Sequence, residues 1–156
     1  MPLRSTNGRL AAQKGASGFQ DRAERLRNGR TTAPLLREVS PSAAQIAVRL
    51  RFAAGEATTH ADQSFVLFPS ARAYFGFPCP YGDCDGIYDL SQAAQSALQQ
   101  PAAQAASGTL ECGGVRSRHR IPHQHCGLQV SYTVTAEHRQ QVSLAAPTRA
   151  NSPPAR

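Results

Sequence analysis

The chain has 156 residues, of which 40% are apolar and 6% aromatic with no Trp, and it carries a formal net charge of +7 at pH 7. That length suits one domain with a modest core plus tails. No run approaches the roughly 18 apolar residues of a membrane span, and Met1–Asn7 lacks the apolar stretch of a secretory signal. A cytoplasmic protein with no membrane partner is the expectation.

The charge is unevenly spread. Residues 1–43 hold seven Arg and one Lys against three acids, whereas residues 44–139 hold seven Arg against seven acids. Residues 140–156 add two Arg. The basic excess therefore sits in the tails, around a neutral central part. A nucleic-acid partner is open through the N-terminal tail. Yet Arg outnumbers Lys sixteen to one amid abundant Ala, the bias a GC-rich genome produces without any phosphate to bind.

Taken in order, residues 1–43 have few large apolar side chains and read as a disordered basic tail, with a possible helical turn between Gly18 and Gly29. Gln45–Phe52 alternates, placing Ile46, Val48, Leu50 and Phe52 on one face of a half-buried strand. Ser64–Phe68 is a second strand, stopped by Pro69, and Ala73–Phe77 a third. Gly86–Leu90 is a short extended piece. Asp89 can cap a helix lined by Leu90, Ala94, Ala97 and Leu98 and stopped by Pro101. Thr109–Cys112 is a strand, residues 115–125 an Arg/His loop containing Pro122, and Cys126–Glu137 a strand with Leu128, Val130, Tyr132 and Val134 on one face. Residues 140–156 read as a disordered tail.

The chemistry lies in four cysteines. Cys79 and Cys84 flank four residues, Pro80-Tyr81-Gly82-Asp83, Cys112 precedes Gly113-Gly114, and Cys126 precedes Gly127. Every one falls at a strand end or turn, where two ribbons can bring thiolates into a tetrahedron around a metal. In a reducing compartment cysteines serve more naturally as metal ligands than as disulfides. Zinc is the default for an all-sulfur site, with iron the other candidate. Plain buried thiols remain open, as do disulfides Cys79–Cys84 and Cys112–Cys126. Arg116, Arg118 and Arg120 can offset the charge of such a site. His119, His123 and His125 read as a solvated loop, with His125 the alternative ligand; His60 and His138 read as isolated and exposed.

Catalytic patterns are missing: there is no H-E-x-x-H, P-loop or G-x-S-x-G, and no H-x-E to accompany Pro78-Cys79 as in a deaminase. Asp83, Asp85 and Asp89 lack the remaining positions of an EF-hand and read as turn and cap residues. Phe75, Phe77, Tyr81 and Tyr88 read as core rather than a base-stacking surface.

The stretch Phe77–Leu90, followed by Leu110–Gly114 and Cys126–Leu128, resembles small uncharacterised bacterial proteins with a zinc-ribbon-like four-cysteine pattern. The resemblance spans residues 45–138. It implies one structural Zn2+ on Cys79, Cys84, Cys112 and Cys126 and no known activity.

The expectation is thus an α+β, mostly β, zinc-ribbon-like domain over 44–139, with a small antiparallel sheet, one short helix and disordered tails. Its expected role is that of a non-enzymatic adaptor for a protein partner of unknown identity. A nucleic-acid-associated protein and a thiol-based redox or metal-responsive protein are the alternatives.

Overall fold

The computed structural model describes residues 7–53, 60–100, 105–118 and 121–139. His119, Arg120, Pro101 and the expected C-terminal tail lie outside these residues. The chain is mostly β, as its alternating segments require. Four antiparallel strands form the main sheet in the order β2-β1-β8-β5: β2 Gln63–Leu67, β1 Ala43–Phe52, β8 Gln129–His138 and β5 Ala106–Glu111. β1 and β8 are the long central pair, in register from Gln45 opposite Glu137 to Phe52 opposite Val130. Because strand side chains alternate between faces, Ile46, Val48, Leu50 and Phe52 of β1 are buried together with Val130, Val134 and Ala136 of β8. Arg49, Arg51, Ser131 and Thr133 are exposed, so this sheet has one wet face.

The helix α3, Ser91–Gln99, buries Ala93, Ala94 and Ala97. Its start lies one position later than a cap at Asp89 would set it. Leu90 occupies the N-cap position, and the Asp89 carboxylate accepts the Ser91 N–H at 2.9 Å. Two small ribbons complete the fold, β3 Gly76–Pro78 with β4 Ile87–Asp89, and β6 Val115–Arg118 with β7 Ile121–His125. The 115–125 segment is therefore a hairpin and not a loop. Pro122 is accommodated because, among the described residues, its strand β7 pairs with β6 alone, leaving its other side free of ladder bonds.

The segment expected as a basic tail is helical over α1, Asn7–Thr32, and a single helical turn α2 follows at Leu36–Val39. Between positions 20 and 33 the inward side chains are Arg22, Leu26, Gly29 and Ala33, one stripe at helical spacing. It holds a single large apolar residue, so composition gives little sign of it. The helix is held by partners distant in sequence: Gly29 lies so close to the Tyr74 ring that no Cβ fits between them. Among the described residues no helix is long and apolar enough to cross a membrane.

Candidate metal centre

The first cysteine turn leaves β3 at Pro78 and returns into β4 at Ile87. Cys79 N–H donates to Gly86 O at 3.0 Å and Cys84 N–H to Tyr81 O at 3.2 Å, closing the turn at both levels. The second turn is less obvious in sequence, because the whole β6–β7 hairpin lies between its cysteines. It is pinched at its base: Cys126 N–H donates to Gly114 O at 2.9 Å and Gly127 N–H to Cys112 O at 3.2 Å. Gly127 has φ 61°, the left-handed conformation that glycine adopts without strain. A further bond, Cys112 N–H to Leu128 O at 2.9 Å, ties this turn to the start of β8. Thirteen intervening residues thus become a close pair.

The two turns face each other, and all four sulfurs lie within 4.8 Å of one another. Cys79 Sγ is 3.8 Å from Cys126 Sγ, and Cys84 Sγ is 3.6 Å from Cys112 Sγ. A disulfide requires about 2.05 Å, and all four cysteines are free. The close pairs also join the turns crosswise, unlike the within-turn pairings Cys79–Cys84 and Cys112–Cys126. A tetrahedral metal with bonds of about 2.3 Å to sulfur sets its ligands about 3.8 Å apart, which matches both distances. Cys79, Cys84 and Cys112 are buried, and Cys126 is half-buried. The cluster can hold a metal ion.

The surroundings bear on which protonation state the sulfurs take. Burial pushes the Cys79 thiol up to about 12, opposed by the Tyr81 backbone N–H and reinforced by Cys112 and Cys126. Burial likewise pushes Cys84 upward, against an N–H bond from Gly86 at 3.3 Å. Four thiolates in such a place need a cation at their centre; a divalent ion leaves a local charge of −2.

Guanidinium groups lie around the first cysteine turn. Arg22 donates to Cys84 O, and to Cys79 O at 3.5 Å, while Arg25 donates to Asp85 O at 3.3 Å. Arg116 is clamped by Asp83 through bonds of 2.9, 3.1 and 3.2 Å, and its guanidinium sits 3.7 Å over the Tyr81 ring. Sequence reasoning anticipated Arg116 but missed Arg22 and Arg25; their only signal was their basic side chains at helical spacing in a segment taken for a tail. Asp85 accepts the Val115 N–H at 2.7 Å, and so joins the two ribbons.

Among the described residues the cluster is made of cysteines alone. His125 is exposed and its Nε2 meets Glu111 Oε1 at 3.0 Å. His60 is not isolated: it is half-buried, edge-on to Tyr81 at 4.6 Å between centroids. His138 is also half-buried, with Nδ1 3.2 Å from Ser42 Oγ. Phe75, Phe77 and Tyr88 are core residues; Tyr88 Oη donates to Leu128 O at 2.9 Å, and Tyr81 is half-buried beneath Arg116.

No protein-family model matches the chain, and neither a curated protein nor a solved structure matches it. Of the expected resemblance, the structure supports the four-cysteine cluster.

Proposed function

We propose that this protein is a non-enzymatic binding module whose fold is closed by one structural Zn2+ on Cys79, Cys84, Cys112 and Cys126. The observation that carries the reading is the sulfur geometry, two crosswise pairs at 3.8 and 3.6 Å within one cluster. Four thiolates fill a tetrahedral shell and leave no position for a substrate, as in structural rather than catalytic zinc. A small core gains from such a clamp, and metal uptake is then coupled to folding.

Elemental mass spectrometry with thiol titration on the same purified sample tests it. About one zinc per chain, lost together with the fold in Cys112→Ser, is the expected result. Four free thiols without metal, or no free thiols at all, would each remove the reading.

A redox-responsive role is the second reading, supported by the half-exposed Cys126 next to Cys79. The nucleic-acid reading draws less support, since Arg22 and Arg25 of the basic segment are turned onto backbone carbonyls of the first cysteine turn.

A further inference from the structure

We infer that the free edge of β2 docks an extended, acidic segment of a partner protein, added to the main sheet as a further strand. This rests on the binding-module reading and names the partner's chemistry.

Among the described residues β2 is an outer strand, paired with β1 alone. Outer strands are ordinarily protected by charge, proline or bulges. Gln63-Ser64-Phe65-Val66-Leu67-Phe68 has no charge and no proline before Pro69, and Val66 and Phe68 are 51% and 56% exposed. The opposite outer strand, β5, contains Gly108 and ends at Glu111, so it is the weaker template. Of the sheet's two outer strands, β2 is the better template.

A cavity of about 360 Å³ borders that edge. Phe65, Val66 and Leu67 all line it. Consecutive strand residues point to opposite faces, so a cavity touching all three runs along the strand's edge. Its far wall is Tyr74 and Phe77, and Phe65 packs on Phe77 with ring centroids 4.8 Å apart. Apolar side chains of an added strand have a place to go.

Arg30 of α1 and Arg72 also line the cavity, and both are exposed. Arg72 donates to Ala33 O at 2.9 Å; among the described residues no carboxylate pairs with either guanidinium. Asp62, just before β2, is taken by Arg51 at 3.3 Å. A second copy docked edge to edge would bring a second pair of guanidiniums against the first, and among the described residues the neighbouring acid, Asp62, is already paired. An acidic segment supplies the missing charge, while main-chain bonds along β2 supply affinity.

The test uses the full chain, with metal content and thermal unfolding measured on the same sample. Fluorescent peptides of alternating Val/Glu and alternating Val/Lys are titrated at low salt, and amide exchange is followed with and without peptide. The Val/Glu peptide is expected to bind about tenfold tighter or more, from two charge-assisted contacts. The preference should shrink with salt, invert in the double variant Arg30→Glu/Arg72→Glu, and come with slowed exchange in β2. Fully metal-loaded, folded protein that does not discriminate between the peptides would overturn this inference and leave the metal clamp standing. So would protection outside β2, or a homodimer with β2 already protected before peptide is added. Acidic-peptide binding by protein that holds no metal would support the docking edge while removing the zinc clamp.

Discussion

Gly86 and Gly114 lie back to back beneath the sulfurs, each occupying the space a side chain on the other would need. A Cβ on Gly114 would stand 2.8 Å from Cys84 Sγ and closer still to the Gly86 backbone, and one on Gly86 would collide with Cys112 Sγ. By contrast, a Cβ on Gly113 meets nothing within 4 Å. Gly114→Ala should therefore destabilise the protein by about 1–3 kcal/mol through overpacking and lower its metal content, while Gly113→Ala should leave both nearly unchanged. Thermal unfolding and elemental analysis of the two variants check this.

The Asp83–Arg116–Tyr81 stack holds the first cysteine turn to the hairpin that carries Cys126. The Asp83 and Arg116 side chains are 28% and 14% exposed, so solvent screens this pair less than an open surface pair. A double-mutant cycle with Asp83→Asn and Arg116→Gln should give a coupling of about 1 kcal/mol. A coupling indistinguishable from zero would mean that the stack is only a surface contact.

Removing the Arg22 guanidinium leaves carbonyls of Cys79 and Cys84 without a charged donor. Hydrogen bonds from charged groups contribute about 1.5–3 kcal/mol. Arg22→Ala should therefore speed amide exchange over residues 20–32 and make chelators strip metal faster. Unchanged exchange in the helix would show that Tyr74 against Gly29 suffices to hold it.

Thiol chemistry should follow burial. In metal-loaded protein under native conditions, an alkylating agent should reach Cys126 first, because Cys79, Cys84 and Cys112 are buried. Peptide mapping after brief exposure reads the order; early labelling of Cys84 would contradict it.

The same burial sets a pH dependence for the metal-bound fold. Burial pushes the Cys79 thiol from an ordinary 9.0 up to about 12, so a proton competes with the metal for this sulfur throughout the neutral range. Metal and fold should therefore be lost together as pH falls, read by elemental analysis and thermal unfolding on the same sample. At neutral pH, metal uptake should release protons into a weakly buffered solution.

Much of the sheet was legible because β1 and β8 each have one buried face, and Ile46-Ala47-Val48-Arg49-Leu50 records that alternation directly. The four cysteines were legible as a group from their turn residues. Their crosswise closeness was not, because it depends on strand pairing between segments far apart in sequence. The β6–β7 hairpin was missed for a different reason. Val115-Arg116-Ser117-Arg118 has no apolar period, and its pairing is supported from outside, by Asp85 on Val115 and Asp83 on Arg116. α1 was legible only as a helical turn between Gly18 and Gly29, since its inward stripe is Arg22, Leu26, Gly29 and Ala33, of which only Leu26 is a large hydrophobe. Its anchors are backbone carbonyls and an aromatic ring, which no hydrophobic pattern reports.

The crosswise arrangement of the sulfurs has a topological meaning. Cys84 and Cys112 are 28 positions apart and Cys79 and Cys126 are 47 apart, so an ion shared by all four would staple long loops shut much as disulfides do. Unlike a disulfide, such a staple would be made without an oxidant and undone by a chelator. The conformational freedom of some fifty residues would then be governed by metal supply.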